Sequence, residues 1–385
     1  MLAVYISPIP GVDLGTFFVL VFGYLMLHDQ QNKIYRLPRT LSVLLVYTFF
    51  TTILGLTGYL YSEPVNILLR MFKYLVVMII MIGFGFPTYF DEQIFLKYLK
   101  RASVIAVGYA MIQSVCYFLS GISLPGTFGP TKVDYTPDEN TVGAASSVLE
   151  YFYRPTSFFY EPSHAAYFMC PFLCYILFVN KDLSEKKIRY TAIFMSLGIL
   201  VTTSGQGLVA LVTCWSIWTL KELKKFNIKA IFLLVLAIVF IILNFDVYRI
   251  VERVITTDEY SGIDARKGGY DIMKETSIFK LILGFGYGNY DQTIYYSSLA
   301  EIITCTGIIG FLLTLNMYLC IYLKGVKFQK VLVIISFLLM AGGGIFTACY
   351  LCQYLPLLFY NKWKCNGKPA HLVIVQKDRY SKIKT

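Results

Sequence analysis

The sequence has few charged residues. Only 15% of its 385 residues are Asp, Glu, Lys or Arg, whereas a soluble domain carries about 25%. Hydrophobic residues make up 57% of the chain, and its mean hydropathy is +0.61. This composition excludes an ordinary water-soluble domain. Because a membrane-crossing helix uses about 20 apolar residues, the chain has material for roughly ten spans.

Acidic residues are scarcer than basic ones. The chain has 23 Asp and Glu against 34 Lys and Arg, a formal net charge of +11 and a pI near 9.0. Such a balance is typical of nucleic-acid binding, but cations also collect on the cytoplasmic loops of membrane proteins. In so apolar a chain the second explanation is favoured, and no nucleic-acid partner is expected.

Several familiar catalytic motifs are missing from the sequence. It has no Walker loop, no GxSxG elbow, no paired-histidine zinc motif and no Asp-x-Asp, so the nucleotide, hydrolase and metal chemistry of those motifs is not indicated. The nine cysteines avoid the long polar loops, which argues against a disulfide framework. Cys349 and Cys352 form a lone CxxC, which favours helix packing over zinc. We expect neither a metal nor a cofactor.

Long apolar runs predict an all-α integral membrane protein that forms a single polytopic domain, residues 1–385. The predicted number of transmembrane helices is about 11, within a range of 10–12. Their approximate positions are 14–28, 40–60, 66–86, 102–120, 163–180, 190–204, 206–220, 230–246, 296–320, 331–343 and 345–361.

The distribution of basic residues predicts which loops face the cytoplasm, because cytoplasmic loops are enriched in Lys and Arg. Of the 34 Lys and Arg residues, 24 lie in short loops and in the tail: 29–39, 87–101, 181–189, 221–229, 324–330 and 362–385. The connections on the alternate side include two long loops, residues 121–162 and 248–295. We therefore expect both long loops to face outward and the basic tail, 362–385, to face the cytoplasm.

The first long loop ends in a group of polar side chains. Pro162 suits the first position of a helix, which puts Glu161 at the cap and His164 on roughly the same face. Arg154 precedes them in the loop. A carboxylate, an imidazole and a guanidinium at a helix N-terminus, where backbone donors favour anions, suit the rim of an active site. The alternative is that Arg154 anchors lipid headgroups, Glu161 caps the helix and His164 is interfacial.

The second long loop carries Arg266 and, further on, glycines at alternate positions: Gly284, Gly286 and Gly288. Their spacing differs from the dinucleotide-binding fingerprint, and no βαβ unit surrounds them. A glycine-rich turn of this kind either points backbone N–H groups at a phosphate or makes a bend that re-enters the membrane. Both interpretations remain open at this stage.

Arg70 and Lys73 stand within or beside an apolar run on the outward half of the third predicted helix. A cation inside a membrane is costly and usually faces a cavity or reaches the surface. If residues 65–73 form an interfacial segment, both are ordinary anchors. Either reading places Arg70 on the outer side.

These motifs occur in a familiar order along most of the chain. In this order of motifs the chain resembles the Wzy-type O-antigen and capsule polymerases. The matching segments are Arg154, Phe159-Tyr160-Glu161-Pro162-Ser163-His164, Thr203-Ser204-Gly205, Asp264-Ala265-Arg266, the run from Gly284 to Asn289 and the run from Thr306 to Gly310.

The resemblance implies a C-type glycosyltransferase architecture and a polysaccharide polymerase that needs no metal or nucleotide cofactor. It would work on the outer face of the bacterial cytoplasmic (inner) membrane, on oligosaccharide repeat units linked to undecaprenyl pyrophosphate. A chain-length regulator and a flippase are the implied protein partners. The resemblance assigns pyrophosphate binding to Arg154, Arg266 and Arg70, and Glu161 or His164 is the expected general base.

Two other functions fit part of the pattern. An O-antigen ligase would transfer glycan from the same lipid carrier to lipid A core, but ligases generally have Ser-Arg where this sequence has Ser204-Gly205. A polysaccharide flippase or transporter would more often show duplicated halves and short loops on both sides. The sequence therefore favours a polymerase over both.

Overall fold

A computed structural model gives the fold. It describes residues 20, 21, 23, 24, 39–84, 91–126, 154–159, 161–179, 186–223, 264–291, 294, 296–342 and 348–359. The predicted span at 230–246, nearly all of the one at 14–28, the middle of the first long loop, the beginning of the second and the basic tail lie outside the described residues.

All regular structure in the described part of the chain is α-helical. Eleven helices are bounded as follows: α1 Arg39–Gly55, α2 Pro64–Phe84, α3 Glu92–Ser120, α4 Pro162–Phe178, α5 Lys186–Val201, α6 Gly205–Leu223, α7 Asp264–Glu275, α8 Ile278–Leu283, α9 Ser298–Lys324, α10 Lys327–Gly342 and α11 Ala348–Phe359. The apolar runs therefore predicted nine of these eleven helices, most of them to within a few residues. Helices α7 and α8 lie in the segment that was assigned to the second long loop.

The start of α3 is the largest error in those predicted boundaries. This helix begins at Glu92, about ten residues before the predicted start, because the basic segment 87–101 was assigned to a loop. Lys97 and Lys100 are exposed on it, as is Arg101. A helix satisfies its own backbone hydrogen bonds and so continues past the apolar stretch without penalty, with the charged side chains in water.

Two of the described helices are long and apolar enough to cross a membrane by themselves. They are α9 and the part of α3 from Ile94 to Ser120. Large apolar side chains on both point away from the protein: Phe118 is 75% exposed and Leu323 is 65% exposed. Exposed apolar surface of this kind is typical of helices that contact lipid. The count of spans remains a prediction.

Helix α4 is the centre of the core. Twelve of its 17 residues are buried, and it packs against α3, α5, α6, α10 and α11. A helix that is apolar on all sides lies either inside a protein core or in lipid, and the burial of α4 by its neighbours places it inside the bundle. Its first residue is therefore held firmly at one end of that bundle.

Helices α4 and α6 run parallel. A Cβ atom at Gly207, near the start of α6, would lie 2.6 Å from the Cβ of Ala166, near the start of α4. Further along both helices, the sulfur atoms of Cys174 and Cys214 are 3.5 Å apart. The two N-termini thus lie side by side at the same end of the bundle.

Helix α9 also begins at that end. It is joined to α10 by a tight turn at Gly325, whose N–H caps α9. The start of α10 lies beside the end of α4, since the rings of Phe328 and Tyr175 are 6.1 Å apart. The far end of α9 is therefore at the C-terminal end of α4, with Lys324 and Lys327. Both long loops, which precede α4 and α9, thus lead into the opposite end. That this end faces outward remains a prediction.

Helix α9 is interrupted at Gly307, where φ is 67° and ψ is −174°. Two carbonyl groups just before the break accept hydrogen bonds from the glycine-rich loop: Phe285 N–H donates to Thr304 O and Gly286 N–H donates to Cys305 O, both at 2.9 Å. A break within an apolar helix is tolerated because the freed backbone groups find partners in the protein. The loop and the break therefore stabilise each other.

Replacing Gly307 with Ala should destabilise the protein by at least about 2 kcal/mol, because φ lies in the left-handed region and a Cβ would overlap the carbonyl oxygen of Ile282. Thermal unfolding in detergent measures the change. Gly108→Ala in α3 is the control, since a Cβ there meets no atom within 4 Å. Equal unfolding temperatures for the two variants would contradict the backbone contact.

Candidate active site

The end of the first long loop is held to α3 by Gln113. Its amide nitrogen donates to the carbonyl groups of Leu124, Pro125 and Ser157 at 3.2–3.3 Å, and its amide oxygen accepts from Ser157 N–H at 2.7 Å. Ser157 is buried, has a φ of 54° and donates its hydroxyl to Ala106 O at 2.7 Å. Both ends of the loop are thus joined to one buried side chain.

Arg154 lies at the beginning of this anchored segment and is partly buried. Seven residues on, Glu161 has an extended backbone, with φ −124° and ψ 149°, and Pro162 begins α4. The predicted cap position of Glu161 and the helix start at Pro162 are confirmed. The carboxylate makes no capping hydrogen bond, however, so it is available for other contacts.

Glu161 and His164 are neighbours. Oε2 of Glu161 is 3.8 Å from Nε2 of His164 and accepts a hydrogen bond from the Ser163 hydroxyl at 2.9 Å. The side chain of His164 is 23% exposed and that of Glu161 is 49% exposed. Arg154, Glu161 and His164 are called the first cluster below. It combines an accessible carboxylate and a more buried imidazole at the N-terminus of α4 with a guanidinium that precedes them in the same loop segment.

Arg70 belongs to a different group of residues. Its Nη1 donates to Gly288 O at 2.9 Å and to the Ser62 hydroxyl at 3.4 Å. The predicted arginine therefore meets the predicted glycine-rich loop, a pairing that the sequence did not indicate. Arg266 lies in α7, which packs against α9, but its side chain is outside the described part of the structure.

The three glycines of this loop have left-handed backbone conformations, with φ of 86°, 97° and 82° for Gly284, Gly286 and Gly288. Two of their N–H groups already donate within the protein, from Gly284 to Lys280 O at 2.7 Å and from Gly286 to Cys305 O. Phosphate binding by these two groups would break both bonds. The geometry therefore supports the bend, one of the two interpretations open at the sequence level.

Asn289 joins the loop to the segment between α1 and α2. Its Oδ1 accepts from Tyr61 N–H at 2.8 Å, and its Nδ2 donates to Tyr59 O at 3.0 Å and Phe285 O at 3.1 Å. The side chain is buried, with 1% exposed. An amide is the only common side chain that offers this combination of donors and acceptor in one plane.

Glu301 is a residue of this group that the sequence analysis missed. It lies in the first turn of α9, where the helix dipole favours a negative charge. Its carboxyl group forms a hydrogen bond with the Tyr290 hydroxyl and interacts with the charge of Arg70. Glu301 and burial raise the pKa of Tyr290, so that hydroxyl stays protonated and donates. Arg70, Tyr290 and Glu301 are called the second cluster below.

The second cluster borders a small internal cavity. Glu301 lines it together with two tyrosines, three threonines and two aliphatic residues: Tyr74, Tyr287, Thr48, Thr306, Thr314, Leu44 and Ile302. An acidic residue at the start of an apolar helix usually faces such a cavity or an ionic partner. The position of Glu301 at the start of a long apolar run is therefore the sequence feature that indicates its role.

The described residues contain no group of three or more His, Cys, Asp and Glu side chains arranged to hold a metal ion. The six cysteines that can be assessed are free thiols. The residues of the two clusters present carboxylate, imidazole, guanidinium and phenol hydroxyl groups.

A comparison with family models decides the family. The model described as WcaD colanic acid polymerase matches residues 6–261, about two thirds of the chain. The chain belongs to the WcaD colanic acid polymerase family. No curated protein and no solved structure matches it.

Family membership confirms the resemblance found in the sequence at the level of a polysaccharide polymerase, an enzyme of glycosyltransferase type. With the apolar helices, it also supports a membrane protein. The matched residues include the first cluster and Arg70 but end before α7. Arg266, the glycine-rich loop and Glu301 are thus outside the matched region, and their roles depend on this chain's own geometry.

Replacing Asn289 with Asp should destabilise the protein by about 2 kcal/mol or more, because the change places a charge beside two carbonyl oxygens and removes both donors. Chemical or thermal unfolding of the purified protein measures the loss. Asn66→Asp is the control, since Asn66 is exposed in the first turn of α2, where a negative charge is favourable. Similar stability of both variants would contradict the role given to Asn289.

Proposed function

We propose that the protein polymerises oligosaccharide repeat units carried on undecaprenyl pyrophosphate, at the outer face of the bacterial cytoplasmic membrane. The observation that carries this proposal is the first cluster, at the start of the most buried helix and within the region matched by the polymerase family. The growing chain would leave its lipid pyrophosphate and join the sugar of the next lipid-linked unit.

Arg154 would hold the leaving group. When the bond between the anomeric carbon and the pyrophosphate oxygen breaks, negative charge develops on the phosphate, and guanidinium binds phosphate oxygens through two parallel N–H bonds. The N-terminus of α4 adds the positive end of the helix dipole. Arg266 would supply a second guanidinium from the other loop.

Glu161 would act as the general base. The acceptor hydroxyl loses its proton to the carboxylate while its oxygen forms the new bond to the anomeric carbon, and the lipid pyrophosphate departs with the electrons of the broken bond. Inversion at the anomeric carbon is expected. His164, 3.8 Å from the carboxylate, would orient it.

Arg70 would mainly position the glycine-rich loop. Its Nη1 is already bound to Gly288 O and the Ser62 hydroxyl, so pyrophosphate binding is left to the other N–H groups of its guanidinium. The contact with Glu301 would keep this side chain in place.

Replacing Arg154 with Ala should slow polymerisation by roughly 10²–10³-fold, by analogy with the loss of one transition-state donor. Arg154→Lys should recover only part of the rate, because lysine keeps the charge and loses the paired N–H groups. The length of surface glycan at equal protein level measures the effect. A normal long-chain product from Arg154→Ala would refute the role.

Replacing Arg266 with Ala should slow polymerisation by a similar factor, and the length of surface glycan at equal protein level again measures the effect. Lys274→Ala is the matched control, because Lys274 is an exposed residue of the same helix that pairs with Asp271 and should be dispensable. Equal glycan length in the two α7 variants would remove Arg266 from the site.

Replacing Glu161 with Gln should abolish most polymer formation while leaving lipid binding intact, because shape is kept and the base is removed. Purified protein supplied with a lipid-linked repeat unit should give a ladder of products with the natural chain and little with the variant. Glu63→Gln, an exposed acid just before α2, is the control. A full ladder from Glu161→Gln would move the base elsewhere. Transfer of single units only to a lipid A core acceptor would favour a ligase.

A further inference from the structure

The turn between α5 and α6 has an unusual backbone. Thr203 has a φ of 50°, a conformation that is a genuine outlier for a β-branched residue. The next residue, Ser204, begins α6 by accepting a hydrogen bond from Gly207 N–H at 3.2 Å. Outliers of this kind persist where the surrounding structure holds them, and they concentrate at functional sites.

Three polar atoms in this turn are buried and have no hydrogen-bond partner in the described part of the chain. They are the hydroxyl of Thr203 and both amide atoms of Gln206, Nε2 and Oε1. Most buried side-chain polar groups are hydrogen-bonded, and leaving one unsatisfied is costly. An amide with neither its donor nor its acceptor used therefore points to an external group that pairs with both.

This turn lies at the same end of the bundle as the first cluster. The close approach of Gly207 to Ala166 holds the first turn of α6 against the first turn of α4, which contains His164. Because α4 and α6 run parallel, their N-terminal backbone donors lie side by side. Gln206 is one residue before the contact with α4.

We propose that Gln206 and Thr203 bind hydroxyl groups of the sugar attached to the pyrophosphate of the donor unit. This inference rests on the proposed function and names a specificity site within it. Oε1 of Gln206 requires a hydrogen-bond donor, which an ionised phosphate lacks, whereas sugar hydroxyls both donate and accept. One amide can pair with two adjacent hydroxyls, and the Thr203 hydroxyl can pair with a third.

The test compares two ligands of the purified full-length protein. One is an undecaprenyl-pyrophosphate-linked repeat unit, and the other is undecaprenyl pyrophosphate without sugar. Gln206→Ala should weaken binding of the first by about tenfold or more and leave binding of the second unchanged. Thr213→Ala is the matched control, since Thr213 is in the same helix and its hydroxyl is bound to Val209 O at 2.8 Å.

An equal loss of affinity for both lipids would overturn the proposal, as would no loss for either. The latter result would mean that the amide pairs with water only. Because binding is measured without turnover, the result is independent of polymerisation. A selective loss in a protein that makes no ladder would support the sugar site and reject the polymerase.

Thr203→Gly provides a second variant, for which stability and affinity should change in different directions. Glycine adopts positive φ without strain, so the unfolding temperature should stay the same or rise, while binding of the sugar-bearing lipid should weaken severalfold because the hydroxyl is lost. A purely structural role predicts unchanged affinity, and that outcome would remove Thr203 from the site.

Discussion

Backbone N–H and C=O groups that leave a helix inside an apolar bundle must find partners, and the functional end of this protein depends on that constraint. It is met at the break in α9, where carbonyl groups freed near Gly307 accept from the glycine-rich loop. It is met again where Gln113 binds both ends of the first long loop. Irregular segments can therefore lie next to apolar helices at defined positions.

The same need for hydrogen-bond partners applies to the turn between α5 and α6. Gln113 and Asn289 are buried amides with their donors and acceptors used inside the protein, and both hold irregular backbone in place. Gln206 is a buried amide of the same chemical type whose two polar atoms are unused in the described part of the chain. The contrast between structural amides and this one is the basis for assigning it to substrate.

In the proposed reaction, which needs a charged leaving group and an acceptor hydroxyl, the two clusters would have different tasks. The first cluster is partly exposed and carries the groups proposed to exchange protons and bind anions, whereas Arg70 of the second cluster binds a backbone carbonyl group and Glu301 lines a small cavity. Parallel packing of α4 and α6 brings positive helix ends to one side of the bundle. Guanidinium groups and helix dipoles supply fixed positive charge to that arrangement.

Helix positions could be predicted from the sequence because a segment that lies in lipid must be apolar and must pair its own backbone groups, which a helix does. Pro162 and Gly205 also mark where α4 and α6 begin. The neighbourhood of Glu161 and His164 was also predictable, since residues three apart share a helix face. The start of α3 was not, because a helix can continue into water beyond its apolar part.

Composition and the apolar runs by themselves determined that this chain is a helical membrane protein, and the order of its motifs gave the resemblance to polysaccharide polymerases. Only the tertiary structure decided that Arg70 meets Gly288, that Glu301 joins them, and that Gln206 lies beside α4 with its amide unpaired. These pairs are far apart in the chain, and local periodicity carries no information about which helices pack together or which buried polar atoms find partners.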